Sequence, residues 1–108
     1  MEFFRDMVTL GLGQTNCASF SVCRVMQRRW IIDSIEYHSN TGEGMLPLDG
    51  DVVLYFAPAT ANGETPLDDF EAFIVPKGTM VTIRAGVWHF GAFTYYSCRS
   101  LAFWSVYL

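Results

Sequence analysis

The sequence predicts an all-β fold, a single-domain jelly-roll β-barrel. Three observations favour this class: helical periodicity is scarce, segments with period-two alternation recur, and Gly, Pro, Asn and Asp turn signals separate them. A chain of 108 residues is long enough for one domain with its own core. We therefore expect residues 1–108 to form one domain of about eight or nine short strands, arranged as a sandwich or barrel.

In the first half of the chain, strands are expected where apolar residues alternate or cluster between turns. Residues 19–27 alternate between two faces, which is typical of a half-buried strand. Residues 30–38 follow a short basic turn and predict a second strand, and the polar residues 40–44 then indicate a loop. After a turn at Asp49-Gly50, the apolar run Val52–Ala57 predicts a buried strand.

The second half repeats this pattern after a polar loop at about residues 59–69, where a short helical turn is expected at 68–70. Strands are predicted at 73–75, 80–83, 87–93, 95–96 and 101–108. The sequence Pro76-Lys77-Gly78 is a strong turn signal between the first two of them. The last segment is apolar on both strand faces, so we expect it to be central in a sheet or part of an interface.

Charge and composition exclude some classes of function. The net charge is −4, and duplex binding requires clustered Lys and Arg, so nucleic acid is not an expected partner. The basic cluster Arg24, Arg28 and Arg29 is interpreted as a solvated strand end or turn. Apolar residues make up 51% of the chain and charged residues only 17%, a thin polar coat for a small monomer. A self-complementary apolar interface would explain the shortage, so a homodimer is expected.

The cysteines and the N-terminus bear on the cellular compartment. Cys17, Cys23 and Cys98 are an odd number and include no CxxC spacing, so neither a full disulfide framework nor a zinc site is predicted. Reduced thiols fit a cytoplasmic protein. The first ten residues lack the pattern of a signal peptide, and no apolar run approaches the ~20 residues of a membrane helix. No membrane association is expected.

Four side chains are candidates for chemistry. On a strand, Glu36 and His38 project to the same face, and Glu43 can return to that side through a loop. His89 arrives from a distant part of the chain. Two imidazoles and two carboxylates could hold one divalent metal (Mn, Zn, Ni or Fe), and the sequence does not choose among these ions. The alternative is that Glu36 and Glu43 are solvated surface residues.

The spacing of these residues resembles the two motifs of the cupin superfamily, which are small β-barrels with a ligand site in the barrel mouth. The matching positions are His38, Glu43 and Gly50 in the first motif, and Gly78, Gly86 and His89 in the second. Glu36 stands where the family has a histidine, Arg84 where it has a proline, and Phe93 where it has an asparagine. The resemblance implies a cupin-like jelly-roll barrel, and the departures bear on metal binding.

Within that superfamily, the chain is similar to ureidoglycolate lyase over about residues 34–93. The similarity is carried by residues 36–38, 46–52, 57–58, 65–69, 71–74 and 84–89, and is most specific in residues 85–89 together with 72–75. It implies the non-oxidative cleavage of ureidoglycolate to glyoxylate and urea, a step of allantoin and purine breakdown. By this analogy His38, His89 and Glu43 are catalytic, and the substrate is a small polar organic acid. Arg84 would clamp its carboxylate, with Glu36 and Trp88 also among the substrate-binding residues.

Two departures from that family keep a second function open. The family commonly has a glutamine where Glu43 stands, and a second histidine where Phe90 follows His89. These changes are compatible with a non-catalytic or divergent cupin that binds a small metabolite, with or without a divalent metal. The aromatic residues near the second motif suit a planar ligand, although core packing is their commoner role. A purely structural oligomer is the third alternative.

Overall fold

The computed structural model describes residues 1–3, 5, 18–95 and 99–106, and it is built from strands with one short 3-10 turn at Ala61–Gly63. The all-β class predicted from the sequence is therefore confirmed. The strands, numbered in chain order, are β1 Ala18–Val25, β2 Glu43–Pro47, β3 Val52–Ala57, β4 Glu71–Val75, β5 Val81–Ile83, β6 Trp88–His89, β7 Phe93–Thr94 and β8 Arg99–Val106.

The strands form two antiparallel sheets. One sheet has the order β1-β8-β2-β5, so β8 is central between β1 and β2. In the other sheet β3 is central: β4 pairs along one edge of it, and β6 and β7 both pair along the other. The strand neighbours in both sheets are mostly distant in sequence, as in a jelly roll rather than a simple meander.

Strand β3 is buried because both of its faces are covered. Its even-numbered residues belong to a core cluster that also contains side chains from β1, β2, β4 and β5, and this cluster fills the space between the sheets. Its odd-numbered residues Val53 and Tyr55 pack with Phe93 on the other face. There the Tyr55 hydroxyl donates a 2.7 Å hydrogen bond to the Ser34 carbonyl. The loop after β1 therefore covers the outer face of this sheet.

A β-bulge separates β6 from β7. Phe56 pairs with His89, and Val53 pairs with Phe93, so the edge strand uses one residue more than β3 over the same length. Because side chains alternate along a strand, the extra residue changes which face the following side chains occupy. His89 therefore shares a face with Phe56, while Phe93 shares the opposite face with Val53 and Tyr55.

Several predicted boundaries change in the structure. The strand predicted at residues 30–38 is wrong: this segment is irregular and makes only one isolated bridge, between Glu36 and His89. Strand β2 begins at Glu43, inside the predicted loop. The short helical turn lies at Ala61–Gly63 instead of 68–70. The bounds of β3 match the prediction, whereas residues 96, 107 and 108 lie outside the described residues.

Within the described ranges no helix is long and apolar enough to cross a membrane. Cys23 is a free, half-buried thiol, and Cys17 and Cys98 lie outside the described residues. Phe20 and Val22 on β1 have large exposed fractions. The homodimer stays a prediction, for which sedimentation is the direct test.

Candidate functional site

The bridge between Glu36 and His89 builds the centre of the candidate site. The Glu36 amide donates to the His89 carbonyl at 2.7 Å, and the His89 amide donates to the Glu36 carbonyl at 2.8 Å. Residues paired in this way on antiparallel segments present their side chains on the same face. The His38 carbonyl accepts a 2.8 Å hydrogen bond from the Gly86 amide. This bond also joins the segment that carries Glu36 to the segment that carries His89.

Four side chains converge at this point. Glu36, His38, Glu43 and His89 each offer one ligand atom, and these atoms all lie within 4.8 Å of one another. Glu43 is at the centre, because its Oε2 lies 3.0 Å from Nε2 of His38 and 2.9 Å from Nε2 of His89. Glu36 is further out, with Oε1 at 3.8 Å from Nε2 of His38. The structure thus brings together the four residues that the sequence analysis proposed as metal ligands.

The two members at the base of the cluster are buried and the other two are partly open to solvent. The side chains of His89 and Glu43 are 1% and 9% exposed, whereas those of His38 and Glu36 are 39% and 48% exposed. A buried carboxylate is unfavourable without a hydrogen-bonding partner, and here it has two imidazole partners. The cluster therefore has an enclosed base and a solvent-accessible rim.

The hydrogen bonds of His89 determine where its protons lie. Its Nδ1 is 2.8 Å from the Val87 carbonyl oxygen, which can only accept, so Nδ1 carries a hydrogen. Its Nε2 faces the Glu43 carboxylate. When that carboxylate is ionised, acceptors lie on both sides of the ring, and the arrangement favours the imidazolium form. A metal bound at Nε2 would take the place of that proton.

Burial and hydrogen bonding act in opposite directions on both groups. Burial alone would raise the pKa of Glu43, but the hydrogen bond and positive charge of His89, with a further contribution from His38, hold this pKa below its ordinary value. Burial alone would lower the pKa of His89, yet its bonds to Glu43 and to the Val87 carbonyl raise it above its ordinary value. Both shifts favour a charged Glu43–His89 pair.

The donor set fits a divalent metal. Two imidazole nitrogens and two carboxylate oxygens are the ligands that Mn, Fe, Ni and Zn accept in proteins. The Nδ1–H bond from His89 to a backbone carbonyl is the outer contact that usually orients a metal-binding imidazole and leaves Nε2 for the ion. The four ligand atoms lie within 4.8 Å of one another, so all of them can face one ion.

Behind the cluster, Trp88 and Tyr37 form an aromatic support. Their ring centroids lie 4.5 Å apart, and Nε1–H of Trp88 donates a 3.0 Å hydrogen bond to Oγ1 of Thr60. Trp88 was expected among the substrate-binding residues. It is buried, and it does not line the cavity that contains the cluster. Its contacts instead join the polar loop to the two segments that carry the site.

The cluster opens into a cavity of about 480 Å³. Cys23, Val25, Met45 and Ala92 form its apolar wall, and Glu36, Glu43 and His89 form part of its polar wall. Arg84, the expected carboxylate clamp, is exposed and does not line this cavity. Arg28 does line it, although the sequence interpretation placed this residue in a solvated turn. No local sequence signal distinguishes Arg28 from its basic neighbours; only the path of the chain brings it to the site.

Comparisons with known proteins agree with the fold and the motifs. The sequence model of the family described as ureidoglycolate lyase matches residues 5–106, which confirms the resemblance inferred from residues 34–93 and extends it over most of the chain. Among curated proteins, none matches the chain significantly.

Solved structures with a similar fold include a cupin. Hydroxypropylphosphonic acid epoxidase from S. wedmorenis has a TM-score of 0.61 at 13% identity, with 82% of this chain and 42% of that chain covered. A cupin-2 domain containing protein from Shewanella frigidimarina has a TM-score of 0.57 at 14% identity, with 96% and 85% covered. Fe(II)-HppE with an alternative substrate has a TM-score of 0.61 at 10% identity, with 97% and 59% covered. The chain thus spans less than two thirds of the epoxidase structures, and the shared feature is the cupin fold.

Proposed function

The chain belongs to the ureidoglycolate lyase family, and from this premise we propose that it is a lyase for a small hydroxy acid of the ureidoglycolate type. The proposed reaction is the cleavage of ureidoglycolate to glyoxylate and urea. The observation that carries the proposal is the convergence of His38 and His89 on one Glu43 carboxylate oxygen. Glu43 and His89 line the cavity, and His38 lies beside it, in contact with Glu43.

The reaction requires two proton transfers and no oxidant. The C–N bond between the hydroxyl-bearing carbon and the urea nitrogen breaks, and its electron pair leaves with the nitrogen. The hydroxyl oxygen loses a proton as the new C=O bond forms, and the departing nitrogen gains a proton to give urea. The site must therefore provide one base and one acid.

The hydrogen bonds around Glu43 support one division of these two roles. His89, with hydrogen-bond acceptors at both ring nitrogens, is the protonated imidazole and serves as the acid through Nε2. His38 donates from Nε2 to Glu43 in its neutral form, so its lone pair is on Nδ1, and this nitrogen serves as the base. Glu43 holds both rings and stabilises the positive charge as it moves between them.

A divalent metal would be held by Glu36, His38, Glu43 and His89. When bound, such an ion supplies Lewis-acid polarisation of an oxygen of the substrate. An Nε2 atom cannot hold a metal and a proton at once, so metal content decides whether the two imidazoles act as ligands or as proton carriers. In the metal-bound form, these residues orient the substrate.

The test is an assay of glyoxylate and urea release from ureidoglycolate, with purified protein stripped of metal and then supplied separately with Mn, Zn, Ni or Fe(II). Turnover by the stripped protein supports proton transfer by the imidazoles, and turnover only after one metal is added supports the ligand role. Without turnover in any of these states, the lyase proposal fails. Mass spectrometry of the protein as purified identifies the resident metal.

A second candidate function is metabolite binding without turnover. Phe90, which also lines the cavity, stands where the family commonly has a second histidine, so one proton-transfer group of that pattern is missing. A thermal-shift screen with small acids tests this candidate, because a ligand at 100 times its Kd stabilises a protein by about 2.7 kcal/mol. Stabilisation by an acid that is not converted favours a binding protein over a lyase.

A further inference from the structure

We propose that Arg28 is the anion-binding residue of the cavity and that it selects ligands that carry a carboxylate. The inference rests on the proposed function for the identity of the reacting end, which faces the Glu43 cluster. It adds the residue that recognises the other end of the ligand. The residue expected for this role, Arg84, has no place in the cavity wall.

A ring contact and a hydrogen bond fix the position of the Arg28 guanidinium. Its central carbon lies 3.9 Å from the centroid of the Phe93 ring, a cation–π contact that holds the plane of the group. One of its terminal nitrogens donates a 3.2 Å hydrogen bond to the Ile31 carbonyl. A group held in this way is oriented before a ligand arrives.

These contacts leave part of the guanidinium available. A guanidinium has more N–H donors than these bonds use. The nearest carboxylate, that of Asp33, lies 3.8 Å from the guanidinium, beyond hydrogen-bond distance, and its side chain is 72% exposed. Such an exposed pair is weak. The remaining donors belong to a side chain that is about two thirds buried and lines the same cavity as His89.

The charges around the cavity determine how a ligand would lie. Among the described residues that line it, Arg28 is the one arginine or lysine, while Asp33, Glu36 and Glu43 contribute carboxylates. A ligand carboxylate is repelled by these groups and attracted by the guanidinium, whose planar arrangement of donors matches a carboxylate in a two-pronged contact. The acid end therefore lies at Arg28, and the hydroxyl and amide end lies at the Glu43 cluster.

The experiment compares glycolate with glycolamide, two probes of similar shape that differ in charge. Their Kd values are measured by calorimetry for the wild type, Arg28→Gln and Arg28→Lys. Arg84→Gln and Arg29→Gln are the controls, because each removes one positive charge, as Arg28→Gln does, at a position outside the cavity wall. We expect the wild type and both controls to bind glycolate roughly 10- to 100-fold more tightly than glycolamide. Arg28→Gln should abolish that preference, and Arg28→Lys should retain only part of it.

A wild type without a preference for the acid would overturn the inference, as would Arg28→Gln with an unchanged preference. If Arg28→Gln does not fold, as judged by circular dichroism, the Lys variant decides: an unchanged ratio there also overturns it. The lyase reaction can fail separately. Loss of the acid preference in Arg28→Gln, together with no turnover of ureidoglycolate by the wild type, supports the anion site and rejects the reaction. Turnover of ureidoglycolate with an unchanged KM in Arg28→Gln supports the reaction and rejects the anion site.

Discussion

The rings of Tyr37 and Trp88 lie 4.5 Å apart, and each residue is a chain neighbour of a member of the candidate site. Tyr37 stands between Glu36 and His38, and Trp88 precedes His89. Because side chains alternate along extended segments, this aromatic pair lies on the face opposite to the cluster. It fixes the alignment of the two segments whose other face carries the candidate site.

Substitutions of Trp88 separate the packing of this pair from its hydrogen bond. Trp88→Phe removes the bond to Thr60 and keeps a ring against Tyr37, so we expect a loss of about 1 kcal/mol in the free energy of unfolding. Trp88→Ala removes both and should cost about 3–5 kcal/mol. Urea unfolding measures these changes, with Tyr37→Phe as a control expected to stay within about 0.5 kcal/mol of the wild type. Equal losses for Phe and Ala would contradict the packing role.

Glu43 is expected to matter more for activity than any other carboxylate at the site, since it contacts both imidazoles. Glu43→Leu keeps a similar volume and removes the charge together with the oxygen that contacts both imidazoles, so kcat/KM for ureidoglycolate should fall by roughly 10²- to 10⁴-fold. The matched control is Glu64→Leu in the polar loop, where the side chain is exposed. If both variants lose the same activity, or neither does, Glu43 has no part in proton transfer.

The metal-free protein should show a window of pH in which the Glu43–His89 pair contributes most to stability. The pKa of Glu43 is held below its ordinary value of 4.5, so its contribution is complete above that pH and is lost as the pH falls through the shifted pKa. The pKa of His89 is raised above its ordinary value of 6.5, so its contribution is complete below that pH and is lost as the pH rises through the shifted pKa.

Both contributions are therefore complete between pH 4.5 and 6.5. The measurement is the difference in the free energy of unfolding between the wild type and Glu43→Gln, obtained from urea titrations at a series of pH values. We expect this difference to be greatest inside the window and to decrease on both sides. A difference that is constant with pH rules out a charged pair.

Metal binding should stabilise the protein through the same four side chains. A divalent ion at 100 times its Kd is expected to raise the free energy of unfolding by about 2.7 kcal/mol, and a chelator should reverse this. His89→Ala should abolish the effect because it removes the most buried ligand. The effect should also weaken in acid, since protons compete with the ion for the imidazoles. Stabilisation that persists in His89→Ala would place the ion elsewhere.

The glycines at 86 and 78 test the connection between the second motif and the site. Both have positive φ, +87° and +80°, so a side chain at either position strains the backbone by about 1–2 kcal/mol. At Gly86 a Cβ would also lie 3.0 Å from that of Ala59, whereas at Gly78 it would meet nothing within 4 Å. Gly86→Ala should therefore be the more destabilising of the two.

Gly86 also donates its amide to the His38 carbonyl. For this reason Gly86→Ala should lower kcat/KM, while Gly78→Ala should leave it close to that of the wild type. In the unfolding measurement, Gly91→Ala is the control for an added methyl group without strain, because its φ is not positive and its Cβ would meet nothing within 4 Å. Thermal unfolding and the glyoxylate assay measure the two effects. Identical behaviour of the variants at 78 and 86 would contradict a role for Gly86 in positioning His38.

The fold could be predicted from the sequence because its local signals agree with its packing. In Val52–Ala57, the apolar run predicts a strand covered on both faces, and the structure covers both faces. The segment at 30–38 has a similarly apolar start, yet Trp30, Ile31 and Ile32 are exposed and make no ladder. Local pattern alone does not show whether a partner strand is within reach.

The candidate site shows the same difference between local and long-range information. Glu36, His38, Glu43 and His89 could be proposed together because their types and spacing suit one ligand centre, and the structure places them together. The exchange of Arg84 for Arg28 in the cavity wall could not be foreseen. It depends on the path by which the loop after β1 crosses the neighbouring sheet, which involves contacts between residues far apart in sequence.

The bulge between β6 and β7 connects the candidate site to the proposed anion-binding residue through the count of residues between His89 and Phe93. With the present count, the imidazole turns inward to Glu43, and the phenyl ring turns outward to carry Arg28. If the same residues paired with β3 without interruption, side chains four positions apart would share a face, and one of the two would be on the wrong side of the sheet. Loss of the bulge geometry is thus expected to be harmful even where the altered side chain has no role of its own.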